Sequence, residues 1–257
     1  MKRIDAKILY LIACCKKKSP GGSEPHWRAV PERPDENRFP ELDESRRELV
    51  TYYSGLSEQE AFRVYTAPRG TKESKPENIR KAWAKNRAIQ TSGTMPAIFR
   101  YQGTVFGELG NGIRGQMLNG DIGNVLIVSA LFGMLYPRDL IPDYELVMKD
   151  KAPNGWSVYV YWRTVFRQRD LSEVLTRYMP SLEEIYCFMS ESTGYVPAVQ
   201  DLANDFNVFA VSVTDGSTRR STKAWGRSLR RCLEKRLSSW QDIEAIVEAE
   251  NCSLIQL

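Results

Sequence analysis

Three acidic residues stand just beyond apolar segments of this 257-residue chain, in positions where α/β proteins often meet their ligands. They are Asp139, Glu191 and Asp215. A carboxyl group in such a position can transfer a proton or stabilise positive charge. The chain has one histidine, His26, which excludes metal sites built from several histidines. A Ser-His-Asp triad or a Cys-His pair would depend on His26 alone, so we expect carboxylates to carry the catalysis.

The five cysteines predict neither a disulfide framework nor a zinc site. Their number is odd, one pair is adjacent, and no two have the C-x-x-C spacing. Adjacent strand residues point to opposite faces, so we predict that Cys14 and Cys15, at the end of an apolar run, are not essential to catalysis. The chain also lacks a phosphate-binding G-x-x-x-x-G-K-[ST] loop and a dinucleotide fingerprint. We expect no metal and no organic cofactor.

A block of positive charge covers residues 219–236, where Glu234 is the one opposing charge. On a helix, Trp225, Leu229 and Leu233 would form an apolar stripe, with most of the cations on other faces. A second short helix is predicted at 242–250. The basic helix could lie along DNA phosphates, although the same pattern is typical of a solvated face on a packed helix. The cations that we assign to DNA contact in this block are Arg220, Lys223, Arg227, Arg230 and Arg231.

Composition predicts a folded α/β protein. Hydrophobic residues make up 42% of the chain and charged residues 26%, which excludes extended disorder as its main character. The net charge of +4 is too small, over this length, to indicate nucleic-acid binding by itself. The apolar stretch 125–136 is shorter than the roughly 20 residues of a membrane helix, and no cleavable signal peptide is evident. We expect a cytoplasmic protein without a membrane partner, forming one domain over 1–257 that includes a basic helical element at 219–257.

Short β-branched and aromatic runs alternate with helical patterns, which favours a central mixed sheet flanked by helices. The predicted strands are 7–13, 62–66, 97–106, 124–130, 184–189 and 208–213, and the predicted helices are 41–53, 77–90, 158–178 and 197–206. Parallel strands end at one edge of a sheet, where ligands bind. Polar or glycine-containing segments follow four of these strands, at 14–16, 132–133, 190–192 and 214–216. Each could be an ordinary turn or helix cap, but their convergence favours a binding site.

One segment, SALFGMLYPRDLIPDYELVM at 129–148, resembles the central motif of the peroxide-stress YaaA family, SGLYGLLRPLD followed by PYRLEM. The residues that match in register are Ser129, Leu131, Gly133, Leu135, Pro137, Asp139, Tyr144, Leu146 and Met148. Further elements of the family are matched, in the order in which they occur along the chain, by segments 11–19, 101–106, 190–195 and 221–231. The resemblance therefore covers most of the chain, and the central motif is its specific part.

The resemblance implies an α/β core with a C-terminal basic element like a helix-hairpin-helix, DNA binding, and distant kinship to uracil-DNA-glycosylase-like folds. Three positions depart from the family motif: Tyr136 and Glu145 replace arginines, and Val147 replaces a glutamate. An aromatic ring in place of a cation suits a flat or glycosylated base better than a phosphate. The chain is also similar in layout to phage-defence glycosylases that remove glucosylated hydroxymethylcytosine.

On this resemblance we predict a DNA glycosylase that hydrolyses the N-glycosidic bond of a modified base in double-stranded phage DNA. The developing positive charge on the sugar needs a carboxylate nearby, and Asp139 ranks first because it lies in the motif, followed by Glu191 and Asp215. The residues predicted to bind the base are Tyr101, Phe132, Tyr136, Tyr144 and Ser190, and those predicted to hold flanking phosphates are Lys16, Lys17 and Arg100. Two alternatives stay open: a non-catalytic DNA-binding protein of the peroxide response, and a transferase for a nucleotide or sugar phosphate.

Overall fold

The computed structural model describes residues 4–26, 39–67, 75–213 and 218–257. In this part of the chain the strands are β1 (Ile8–Ala13), β2 (Ser23–His26), β3 (Gly93–Pro96), β4 (Val125–Ser129), β5 (Gly133–Leu135), β6 (Leu140–Ile141), β7 (Glu184–Phe188), β8 (Asn207–Val213) and β9 (Cys252–Gln256). The α-helices are α1 (Asp43–Gly55), α2 (Glu58–Val64), α3 (Pro76–Arg87), α4 (Ala97–Arg100), α5 (Thr104–Asn119), α6 (Val158–Gln168), α7 (Leu171–Tyr178), α8 (Tyr195–Val199), α9 (Thr218–Lys235) and α10 (Trp240–Ala249). Short 3-10 helices cover Pro40–Leu42 and Gln200–Asn204.

The main sheet is mixed, with strand order β5-β4-β1-β7-β8-β9. β4, β1, β7 and β8 are parallel to one another, and the outer strands β5 and β9 are antiparallel to their neighbours. The central strands are nearly continuous apolar runs, as expected for strands covered on both faces. The predicted class, a central mixed sheet flanked by helices, is therefore confirmed. A second, smaller sheet has the strand order β2-β3-β6.

Two predicted strands are wrong. Residues 62–66 belong mainly to α2, which begins at a capping box in which Ser57 and Glu60 satisfy each other's backbone amides. Residues 97–106 are divided between the short helix α4 and the start of α5. The apolar residues of these segments belong to helices that pack mainly on other helices, α2 on α3 and α4 on α5, so composition alone predicted the wrong element.

Two predicted helices are broken in the structure, and several elements, α5 and β9 among them, were not predicted. The helix expected at 158–178 is divided into two helices, α6 and α7. The break occurs because Asp170 adopts φ 45° and its side chain caps the backbone amide of Glu173 at the start of α7. The helix expected at 197–206 is α8 followed by a 3-10 turn. α5 was missed because it is rich in glycine, which disfavours helices. The edge strand β9 was missed because it is short and lies at the end of the chain.

The C-terminal segment packs on the core through α5. Gly226 of α9 lies so close to α5 that a methyl group there would stand 2.6 Å from Glu108 Cβ and 2.9 Å from the Val105 carbonyl oxygen. The predicted basic helix and the short helix after it are present as α9 and α10, and β9 then pairs with β8. That this pair acts on DNA like a helix-hairpin-helix stays a prediction. In the described ranges, no helix is both long and apolar enough to span a membrane.

Candidate functional site

The carboxyl ends of β1, β4 and β7 meet at one edge of the sheet, as predicted from their parallel order. The two adjacent cysteines after β1 point to different neighbours at this edge. Cys14 Sγ lies 3.1 Å from the hydroxyl of Tyr195, and Cys15 Sγ accepts a hydrogen bond from the backbone amide of Gly103 at 3.0 Å. The segment after β1 is thereby fixed between the start of α8 and the start of α5.

Two buried tyrosines form a hydroxyl network with the end of β4. The hydroxyls of Tyr101 and Tyr144 lie 2.7 Å apart, and the hydroxyl of Tyr144 lies 2.8 Å from Ser129 Oγ. Ser129 Oγ also accepts from the backbone amide of Phe132. Burial raises the pKa of both tyrosines well above the ordinary value. The network therefore stays protonated and holds the turn after β4 in place.

A lysine that we did not predict covers this network. Lys18 is half-buried, and its Nζ lies 4.0 Å from the ring centroid of Tyr144 and 5.5 Å from that of Tyr101. Nζ also donates to the Cys15 carbonyl oxygen at 2.9 Å. Burial lowers the pKa of Lys18 below its ordinary value of 10.5, an effect that the two neighbouring thiols and Asp143 partly oppose.

Two acidic residues flank Tyr144 and face lysines. Asp143 Oδ2 lies 3.2 Å from Lys85 Nζ, and Glu145 Oε1 lies 3.3 Å from Lys16 Nζ. The other carboxylate oxygen of Asp143 is buried and has no hydrogen-bond partner among the described residues. A buried anionic oxygen without a donor is unusual, and it marks Asp143 as a residue that could meet a ligand.

The predicted carboxylates occupy three different settings. Asp139 is buried, and its Oδ2 accepts from the backbone amide of Tyr136 at 2.9 Å, the geometry of a turn cap. Glu191 is exposed at the end of β7. Asp215 lies outside the described residues. Asp139 is thus committed to a structural contact, whereas Glu191 remains open to solvent.

The predicted base-binding aromatics are enclosed by protein. Tyr101, Phe132 and Tyr144 have no exposed surface, and Tyr136 is 3% exposed and stacked on Phe39 with ring centroids 5.0 Å apart. β5 runs antiparallel to β4, so Tyr136 lies back along the sheet, away from Ser129. Stacking of a base on these rings would require the rings to move.

Ser190 stays close to the predicted edge. Its Oγ lies 2.8 Å from Ser192 Oγ in the loop after β7, and its backbone oxygen accepts from Thr193. This loop also carries Glu191, so a polar, exposed segment borders the cluster of Lys18 and the two tyrosines.

Arg100 is not placed to bind phosphate. It is fully buried, and its guanidinium donates to the carbonyl oxygens of Ser19, Gly21, Gly93 and Ile141. Arginine has five donor hydrogens, and these contacts use all of them. It therefore ties the smaller sheet to residues 19–21, the segment that follows the three lysines.

Lys16 and Lys17 are exposed at the same edge of the sheet, where phosphates could reach them. Lys16 shares its charge with Glu145, as described above.

Three arginines of α9 are paired with acids. Arg227 and Arg231 both contact Glu250, at 2.6 and 3.0 Å, and Arg230 contacts Glu234 at 2.7 Å. Lys223 is exposed. The side chain of Arg220 lies outside the described part. The helix remains basic, but part of its charge already stabilises the junction between α9 and the end of α10.

The Cys15 thiol at the site is not activated. Burial raises the pKa of Cys15 to about 11, and nearby Lys18 opposes this only in part. A thiol that stays protonated is a poor nucleophile. Among the described residues, no group of three or more histidine, cysteine or acidic side chains is arranged to hold a metal ion.

Sequence reasoning missed Lys18 and Asp143 because, although both lie in segments that resemble the family, neither is one of the residues that match it in register. Lys18 is the last of three consecutive lysines, and an isolated β-bridge pairs its backbone with that of the buried Tyr101. Asp143 precedes the matched Tyr144, and its unpartnered oxygen is visible only in three dimensions.

Taken together, the sheet and its edge define an α/β protein with its candidate site beyond the carboxyl ends of parallel strands. The chain belongs to the peroxide stress protein YaaA family, whose model matches residues 8–252. This confirms the family predicted from the central motif.

Curated relatives are similar over part of their length. The chain is 33% identical to a UPF0246 protein of Corynebacterium glutamicum over 115 residues, which is 45% of this chain and 42% of that protein. It is 28% identical to a UPF0246 protein of Corynebacterium efficiens over 148 residues, 58% and 54% of the two chains. A UPF0246 protein of Methylibium petroleiphilum is 32% identical over 90 residues, 34% and 35% of the two chains. The matches thus span about half of these relatives or less.

Proposed function

We propose that this protein is a DNA glycosylase that hydrolyses the N-glycosidic bond of a modified base in double-stranded DNA and leaves an abasic site. The proposed substrate is glucosylated hydroxymethylcytosine of phage DNA, and the proposed role is antiviral defence in the cytoplasm. The observation that supports this proposal best is the buried, unpartnered oxygen of Asp143 at the carboxyl edge of the sheet.

The chemistry follows from the charges at this edge. When the bond between the base and C1′ breaks, positive charge develops on the sugar, and a nearby carboxylate stabilises it. Asp143 offers one oxygen for this purpose, while Lys85 holds the other. Water then adds to C1′, and the departing base needs a proton, which the exposed Glu191 of the neighbouring loop could supply. We assign the stabilising role to Asp143 rather than Asp139, because Asp139 caps a turn.

DNA would be held by exposed cations around the same edge and along α9. Lys16, Lys17 and Lys223 are exposed, and each phosphate that they neutralise adds salt-dependent affinity. The arginines of α9 would contribute less than their number suggests, since they share their charge with Glu250 and Glu234.

The test is alkali-induced strand cleavage on DNA that carries cytosine, hydroxymethylcytosine or glucosylated hydroxymethylcytosine, with chelator present. We expect cleavage on the glucosylated DNA, and a loss of about 10² to 10⁴ in rate for Asp143→Asn, as is typical when one acid–base group is removed. Asp139→Asn is the matched control, because an amide oxygen can still accept from the Tyr136 amide. Equal rates in the two variants would contradict the role of Asp143, and no abasic sites on any DNA would contradict the glycosylase.

A second candidate is a non-catalytic DNA-binding protein of the peroxide response. The enclosed rings of Tyr101, Phe132 and Tyr144 favour it, since they present no open face to an extruded base. It predicts salt-dependent binding to DNA without any covalent product. The same cleavage assay, run beside a binding titration, separates the two candidates.

A further inference from the structure

Lys18 has the surroundings of a reactive amine rather than those of a surface cation. Its side chain is half-buried, its Nζ stands 4.0 Å from the ring centroid of Tyr144, and Nζ donates a hydrogen bond to the Cys15 carbonyl oxygen. Burial lowers the pKa of its ammonium group, which raises the fraction of neutral amine near neutral pH. Desolvated lysines of this kind are the ones that form Schiff bases with carbonyl carbons.

A proton acceptor lies within electrostatic range of this amine. Asp143 precedes Tyr144 in the chain, its charge acts on Lys18, and one of its carboxylate oxygens is buried without a hydrogen-bond partner among the described residues. An amine and a free carboxylate oxygen at one edge of the sheet are the two groups needed to form an imine and then to remove a neighbouring proton.

We propose that Lys18 is the nucleophile of an abasic-site lyase activity, forming an imine with C1′ of the sugar from which the base has been removed. This inference rests on the proposed function, because it assigns a second reaction to the same site. It also makes a claim of its own, since the lyase step can be supplied with an abasic site that another enzyme has made.

The reaction balances without a cofactor. Lys18 Nζ attacks the aldehyde carbon of the open-chain sugar, and the carbonyl oxygen leaves as water. Asp143 accepts a proton from C2′, and the electron pair moves into the imine to give an enamine. The nitrogen lone pair then re-forms the C=N bond, the C1′=C2′ pair shifts to C2′=C3′, and the 3′ phosphate departs with the electrons of its C3′–O bond. Water then hydrolyses the imine and regenerates the lysine. The products are a strand break and an unsaturated sugar on the 3′ end.

A purely structural role for Lys18 predicts different behaviour. A cation over Tyr144 can be supplied equally by arginine, which also stacks on aromatic rings. Arginine cannot form the imine. Lys18→Arg therefore separates the two roles, since it conserves the charge and removes the nucleophile.

The experiment uses a labelled duplex with one preformed abasic site and cyanoborohydride, which reduces an imine to a stable amine. We expect the wild-type protein to form a covalent complex with this DNA, and Lys18→Arg to fall to the level seen without protein. The matched control is Lys149→Arg, a change at an exposed lysine outside the site, which should form the complex like the wild type. Mass spectrometry of the digested wild-type complex should find the added sugar on Lys18, a result that does not depend on whether any variant folds.

Three outcomes would overturn the proposal: no complex with the wild type, an adduct that maps to another amine, or an undiminished complex with folded Lys18→Arg. None of them depends on base excision, because the abasic site is supplied. A protein that forms the Lys18 adduct but releases no modified base would contradict the glycosylase and retain the lyase, so the two failures are distinguishable.

Discussion

Glu250→Gln is expected to weaken the junction of the C-terminal helices and to strengthen the salt dependence of DNA binding. The Glu250 side chain is 6% exposed and contacts both Arg227 and Arg231. Glutamine has nearly the same shape but no charge. The substitution therefore leaves two cations without their shared counter-ion and changes little else.

The size of the expected loss of stability depends on burial, because the Glu250 side chain is buried whereas the two arginine side chains are partly exposed. Breaking a fully buried ion pair costs about 3–5 kcal/mol. The two arginine side chains are 43% and 50% exposed, so water screens much of the interaction. The glutamine oxygen also keeps one hydrogen bond, and we expect a loss of about 1–2 kcal/mol in the free energy of unfolding.

Although Glu250→Gln should lower stability, it should increase the salt-dependent part of DNA binding. If α9 lies on phosphates, the freed arginine charge should steepen the slope of log affinity against log salt by about 0.9 for one additional phosphate neutralised. The assay is fluorescence anisotropy of a labelled duplex over a salt series, with urea unfolding to measure stability. Glu248→Gln is the control, because it removes the same charge from an exposed position of α10. Identical slopes for the two variants would refute the assignment of α9 to DNA.

Three further outcomes are expected. Gly226→Ala should lower the free energy of unfolding by about 1–3 kcal/mol, because its methyl group has no room against α5. Gly115→Ala of α5 faces open space and should raise the free energy of unfolding by about 0.5–1 kcal/mol. Urea unfolding that ranks the two variants in reverse would contradict this packing. Burial raises the pKa of Cys15 to about 11 and that of Cys187 to about 12. The contribution of these two buried thiols to stability is therefore complete below pH 9 and is lost as pH rises toward those values. Unfolding free energies that stay constant over this pH range would contradict this prediction. Serine at Cys14 and Cys15 should leave base release intact, and its loss in a folded protein would point to a thiol nucleophile.

The sheet was predictable because its central strands are buried on both faces. β1 and β4 are short continuous apolar runs, a pattern that few other elements produce at this length. β7 and β8 follow the same rule with one polar end each. The parallel order and the common carboxyl edge then follow from the helices between the strands.

The helices around the sheet were harder to predict, because their composition resembles that of strands or loops. α2 contains Phe62 and Val64, and α5 contains four glycines, so local propensity points away from a helix in both. The capping box at Ser57 is the local signal for α2. No comparable signal marks α5, which is stabilised by its close contact with α9 at Gly226.

The edge that holds the candidate site was predicted, but its key contacts were not. Asp139 and Arg100 fit the expected chemistry by type, yet both are committed to backbone groups in turns and loops. Lys18 and Asp143 are far apart in sequence, and the charge of Asp143 acts on Lys18 because Lys18 lies over the ring of the neighbouring Tyr144. Pairings of this kind depend on tertiary structure, which one sequence without its fold does not reveal.

The decisive measurement is mass spectrometry of free bases released from DNA that contains glucosylated hydroxymethylcytosine, counted against the abasic sites formed in the same sample. We predict one released glucosylated base for each abasic site with the wild-type protein, and a release that falls by about 10² or more with Asp143→Asn. DNA that is bound by the protein but recovered with every modified base in place would contradict the glycosylase.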